Sequence, residues 1–97
     1  MNINKDLSFG SQLMLDESLV EGIVNNLFNA IKEDNTEKSE VSISIRRKFD
    51  EKAVNIFQIK RVRVDQLEKI KKILPGLIFL LVKDAKPHTI FTRYSFH

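Results

Sequence analysis

The chain contains no cysteine and no tryptophan, a single tyrosine, three glycines and two prolines. Without cysteine there is no disulfide scaffold, no thiolate metal site and no cysteine nucleophile. No glycine-rich loop precedes a helical pattern, which excludes a phosphate cradle of the dinucleotide or P-loop kind. The longest apolar run, residues 77–82, is far short of the roughly 18 residues that span a bilayer. The opening Met1-Asn2-Ile3-Asn4-Lys5-Asp6 lacks the apolar core of a secretory signal, so a cytoplasmic protein is expected. Histidine is equally scarce, with only His88 and His97, and no pair of histidines or carboxylates stands at metal-ligand spacing on a helix. The carboxylate pairs Glu33-Asp34 and Asp50-Glu51 fall in expected turns, and His88 has no evident partner to tune it as a base. These absences point away from an enzyme, and neither a cofactor nor a metal is expected.

What remains is an ordinary globular composition. A chain of 97 residues that is 42% hydrophobic has enough apolar surface to offset its ordering entropy, so one folded domain, residues 1–97, is expected. At this size, with no covalent staple, it must rest on its hydrophobic core, and dimerisation would help. Glycine, alanine, arginine and proline together make up only 13 residues, while isoleucine, asparagine, lysine and phenylalanine are abundant. That skew is the mark of an AT-rich genome.

The hydrophobic period changes along the chain. Leu19, Val20, Ile23, Val24, Leu27, Phe28 and Ile31 recur at helical spacing, with Asp16 placed to cap the first turn and a polar loop over 32–38. Gly22 costs that helix about 1 kcal/mol relative to alanine. From Glu40 the period is two, with Val41, Ile43 and Ile45 alternating with Ser42, Ser44 and Arg46. A polar turn over 49–52 leads to a second strand over 53–64. A two-residue loop at Asp50-Glu51 would put Val54, Ile56, Gln58 and Lys60 beside Ile43 and Ile45; a three-residue loop puts Ala53, Phe57 and Ile59 there. The second register buries no charge and is the one expected.

Asp65 and Glu68 have the spacing of a capping box, followed by a stripe of Leu67, Ile70, Ile73 and Leu74 with Lys69, Lys71 and Lys72 toward water. Pro75-Gly76 reads as the helix stop, and the wholly apolar 77–82 as a strand shielded on both faces. After a turn over 83–87, residues 88–96 alternate again, with Ile90, Thr92, Tyr94 and Phe96 on one side. A weak first strand is expected over 3–9. The expected fold is therefore α+β: a two-layer sandwich with a mainly antiparallel four- or five-stranded sheet, two helices on one face, and the order (β)αββαββ. A ferredoxin-like arrangement extended by one strand would satisfy it, provided the N-terminal strand is central.

Charge is the one feature that points outward. The formal net charge is +3, and the first 40 residues hold only three lysines against most of the acids. Cations gather on the 41–63 hairpin: Arg46 and Lys48 on one strand, Lys60, Arg61 and Arg63 on the other, with Arg46, Lys48 and Lys60 sharing its outer face. One expectation is therefore a small basic nucleic-acid-binding protein that uses this hairpin. The favoured expectation is a non-catalytic binding protein acting through protein contacts, of the kind found among phage and mobile-element inhibitors and accessory factors. Its contact residues would be Phe91, Arg93 and Tyr94, on a final strand at the sheet edge that is open to a homodimer or another protein partner.

Overall fold

A computed structural model describes residues 4–13, 17–34, 40–49, 52–81 and 88–97. Strand β1 is Asn4–Leu13, helix α1 Glu17–Asp34, β2 Glu40–Phe49 and β3 Lys52–Arg63. A 3-10 turn over Val64–Gln66 leads into helix α2, Leu67–Leu81, and β4 is His88–Phe96. All neighbouring strands are antiparallel, in the order β1-β4-β2-β3. The α+β class with an antiparallel sheet and two helices thus agrees with the sequence expectation, while the element order is βαββαβ. The N-terminal strand extends to Leu13 and lies at an edge, so the arrangement with that strand in the centre does not form.

Helix α1 follows its spacing closely, burying Val20, Ile23, Val24, Leu27, Phe28 and Ile31. Asp16 and the loop at 35–39 lie outside the described residues. The alternation in β2 and β4 selects one sheet face: Val41, Ile43 and Ile45 lie opposite Phe96, Tyr94 and Thr92, and all six are buried with Ile90. The helices share one core cluster with these residues, so they cover this face and leave the other open.

The β2–β3 hairpin contains two bulges that sequence alternation alone does not show. Phe49 pairs with Lys52 and Lys48 with Ala53, which is the register of a two-residue connection; residues 50–51 themselves lie outside the described residues. The register then slips, so that Ile45 faces Phe57 and Arg46 faces Asn55. One extra residue lets Ile56 and Phe57 both pack against the core. Phe57 and Ile59 therefore face inward as expected, but Ala53 does not. The hydrophobic demand of the core was met by a bulge rather than by a longer loop.

The largest departure is at α2. Pro75 lies inside the helix, which runs on to Leu81, and 77–81 is not a strand; Val82 lies outside the described residues. An apolar run without polar punctuation carries no period, so alternation cannot tell a buried strand from a helix segment. The place beside β4 that such a strand would take is filled by β1. Continuing the helix brings Ile78 into the core below Leu74 and Leu67, at spacings of four and seven. The stripe centred on those three leaves Ile73 to one side, and it is exposed rather than buried as expected. Asp65 sits within the 3-10 turn, where its carboxylate accepts a hydrogen bond from Arg63 Nη2 at 2.5 Å.

Among the described residues Thr92 is an oddity in the core. It is buried, and its Oγ1 has no hydrogen-bond partner. A desolvated hydroxyl left unpaired costs roughly 1–3 kcal/mol, and valine has nearly the same shape. Thr92→Val is expected to raise the unfolding free energy by about 1 kcal/mol, read from urea denaturation midpoints. A loss of stability would show that the hydroxyl is satisfied.

Candidate functional site

The pleat sends alternate side chains of β2 and β4 to the open face. From β2 these are Ser42, Ser44, Arg46 and Lys48, and from β4 they are Thr89, Phe91, Arg93 and Ser95, paired across the ladder as Ser42–Ser95, Ser44–Arg93, Arg46–Phe91 and Lys48–Thr89. Gln58 and Asn55 of β3 lie opposite Ser44 and Arg46. Between Val41 and Ile43 the register slips again, so Lys60 and Arg61 together face the single Ser42. Arg61 adopts φ 54°, a left-handed conformation that a long side chain takes only under constraint. The constraint is visible: its N–H donates to Ser42 Oγ at 3.0 Å, and its guanidinium donates twice to Glu40 Oε1, at 3.0 and 3.2 Å. The bulge thus delivers two cations to one end of the face.

The result is a band of exposed cations running along β2 and β3, with Arg93 beside it on β4. Arg46, Lys48 and Lys60 make no ion pair among the described residues, whereas Arg61 pairs with Glu40 and Arg63 with Asp65. Alternate residues on a strand lie about 6.8 Å apart, so Arg46 and Lys48 are spaced much as successive phosphates are. At the centre Ser42, Ser44, Gln58, Arg93 and Ser95 line a shallow depression of about 160 Å³. Its floor is rich in hydroxyl and amide groups, the types that bond to phosphate oxygens and base edges. His97 closes one end, with Nε2 2.7 Å from Ser42 Oγ and its backbone N–H donating to Glu40 O.

The structure therefore unites Arg46, Lys48, Lys60 and Arg61 on one face, and adds Phe91 and Arg93 to them. It separates Tyr94 from that group. Tyr94 is 1% exposed on the opposite, helix-covered face, its ring edge-on to Phe96. Its hydroxyl donates to Asp34 Oδ2 at 2.5 Å, with the Ala30 carbonyl farther off at 3.4 Å. It ties the end of α1 to β4 and cannot touch an external partner. Nor is β4 an edge: β1 and β2 flank it on both sides, so its backbone groups are taken by the sheet. The serines and Gln58 at the centre of the depression were legible as polar alternation, but only the β2–β4 pairing shows that they adjoin Arg93.

Burial, then the Asp34 hydrogen bond and the negative charges of Asp34 and Glu33, push the Tyr94 phenol well above its ordinary range. The unfolded phenol ionises near pH 10, so the buried, hydrogen-bonded hydroxyl stabilises the fold fully below about pH 10, and that stabilisation is lost progressively above it. Tyr94 is the only tyrosine. Phenolate absorbance is thus expected to rise together with the loss of helical circular dichroism in an alkaline titration. Phenolate formation in a chain that is still folded would contradict the buried hydroxyl.

No helix among the described residues is long and apolar enough to cross a membrane. No group of histidines, cysteines and carboxylates among them could hold a metal ion. No protein-family model matches the chain, and no curated protein is similar to it. Among solved structures, the chain is similar to one from a complex of a beta-clamp processivity factor and the little finger domain of PolIV, with a TM-score of 0.59 at 9% identity, covering 98% of this chain and 86% of that one. At that identity the likeness is one of fold: the βαββαβ sandwich described above is shared with a protein of known structure.

Proposed function

We propose that the chain is a non-catalytic nucleic-acid-binding module that lays a phosphate backbone across the open face of its sheet. The observation that carries this reading is a cluster of cations on the open face: Arg46, Lys48 and Lys60 stand together, exposed and without ion pairs among the described residues, around a depression lined by hydroxyls and Arg93. Discouraging edge pairing would account for Lys60 on the edge strand β3, but not for Arg46 and Lys48 on the interior strand β2 or Arg93 on β4. Phe91, 36% exposed and opposite Arg46, adds an aromatic surface on which a base can stack. Fluorescence anisotropy with labelled single- and double-stranded DNA and RNA tests the proposal. Binding is expected at low salt, with little dependence on sequence and a steep fall as salt rises. No binding to any of these at low salt would remove the reading.

Protein contact stays as the second reading, moved away from β4. One structure of similar fold comes from a complex of two proteins, and α2 carries apolar side chains that nothing among the described residues covers.

A further inference from the structure

The open sheet face carries more than charge. Phe91 is the one aromatic among the large apolar side chains that the described residues leave exposed, and it stands on β4, inside the sheet rather than at its edge. Arg46 lies opposite it on β2. The depression of about 160 Å³ has room for a single nucleobase and lies over Ile43, between Ser42 and Ser44. Ile43 is three residues along β2 from Arg46, so about 10 Å separates the depression from the row of Phe91. Cations bracket the two features, Arg46 and Lys48 at one end and Lys60 beside Ser42 at the other.

We propose that the ligand of this face is a single strand of nucleic acid, with one unpaired base stacked on Phe91 and another seated edge-on in the depression. The inference rests on the nucleic-acid reading above and narrows it to strands whose bases are free. Both seats need a base that is neither stacked nor paired. In a duplex each base face lies against a neighbour and the Watson–Crick edge is taken, so neither the ring nor the depression gains a contact. The seats are also about three times as far apart as the 3.4 Å between stacked bases. Bases held in both are therefore drawn away from each other, which an unpaired strand permits.

The groups around the depression are suited to any base. Ser42 already accepts a hydrogen bond from the Arg61 N–H and lies against His97. Arg93 lines the depression from β4, stands opposite Asp6 of β1, and is already engaged. Ser44, Gln58 and Ser95 make no side-chain hydrogen bond among the described residues, and they are left to meet the base. Hydroxyls and carboxamides both donate and accept, so these three can answer any base edge and impose no sequence.

The test titrates labelled oligonucleotides of about 12 nucleotides, within the site sizes of single-strand modules. Each strand is compared at low salt with the blunt duplex of the same sequence, as DNA and as RNA. Charge alone favours the duplex, whose phosphates are more densely set, so a preference for the strand has to come from base contacts. Stacking on one aromatic is worth roughly five- to 150-fold per base, and the strand is expected to bind at least about tenfold tighter than the duplex. Phe91→Ser is expected to shrink that ratio by about tenfold, and Gln58→Ala to shrink it by less. A duplex bound as tightly as the strand, or a ratio that neither substitution moves, would overturn the inference while leaving the nucleic-acid reading in place. Absence of binding to all four probes would remove both. The wild-type ratio needs no variant, so it decides the inference even where a substitution disturbs the sheet.

Discussion

Replacing Arg46, Lys48 and Lys60 together with glutamine is expected to lower nucleic-acid affinity by roughly two to three orders of magnitude at about 0.1 M salt. Each phosphate that a cation neutralises releases close to one counterion, so three lost contacts reduce the slope of log affinity against log salt by about 2.7. At roughly 0.1 M salt that difference in slope corresponds to a few hundredfold in affinity. The three side chains are exposed and unpaired among the described residues, so the variant is expected to keep its fold. Because the net charge falls from +3 to zero, an equal-charge control is required. Glutamine at Lys69, Lys71 and Lys72 of α2 removes the same charge from the helix layer. It is expected to weaken binding by less than tenfold, through the long-range field alone. Equal losses in the two variants would mean that attraction is diffuse and that the sheet face is no interface. Phe91→Ser is expected to cost about tenfold if a base stacks there, with no change in the salt slope.

Tyr94→Ser is expected to remove most of the stability of the domain, by roughly 3–5 kcal/mol out of the 5–15 kcal/mol typical of a protein this size. The ring is fully buried between the sheet and α1 and packs against Phe96. Its loss leaves a cavity and also frees the Asp34 carboxylate from its hydrogen bond. Tyr94→Phe separates the two effects: it keeps the ring and is expected to lose about 1 kcal/mol. Phe91→Ser, three residues away on the open face and partly exposed, is expected to change stability by less than 1 kcal/mol. Urea unfolding of the three variants checks the ordering. A stable Tyr94→Ser protein with impaired association would return Tyr94 to the surface, where the strand's composition alone had placed it.

The contrast between these two residues shows how far local pattern reaches. Strand alternation assigned Ile90, Thr92, Tyr94 and Phe96 to one side of β4 and Phe91 and Arg93 to the other, and the ladder agrees. It could not say which neighbours the strand has. Residue types common at interfaces suggested an exposed edge, whereas β1 closes that edge by pairing Asn4 to Phe9 along β4. Long-range pairing of the two chain ends leaves no local trace, because it depends on backbone groups that every residue shares.

The sequence by itself determined the α1 stripe, the inward faces of β2 and β4, and the exposed cations of the 41–63 hairpin. Each of these follows from a short-range period that burial in any fold would respect. Only the tertiary structure decided three other features. It continued α2 through Pro75, since an unpunctuated apolar run carries no period and Ile78 gains a place in the core. It introduced the bulges of β3, which turn Phe57 and Ile59 inward and set Lys60 and Arg61 against Ser42. It placed β4 between β1 and β2, which buries Tyr94 while bringing Arg93 beside Ser44 and Phe91 beside Arg46. These three are settled by competition among distant segments for the same core and the same hydrogen bonds, and no window of neighbouring residues contains that competition.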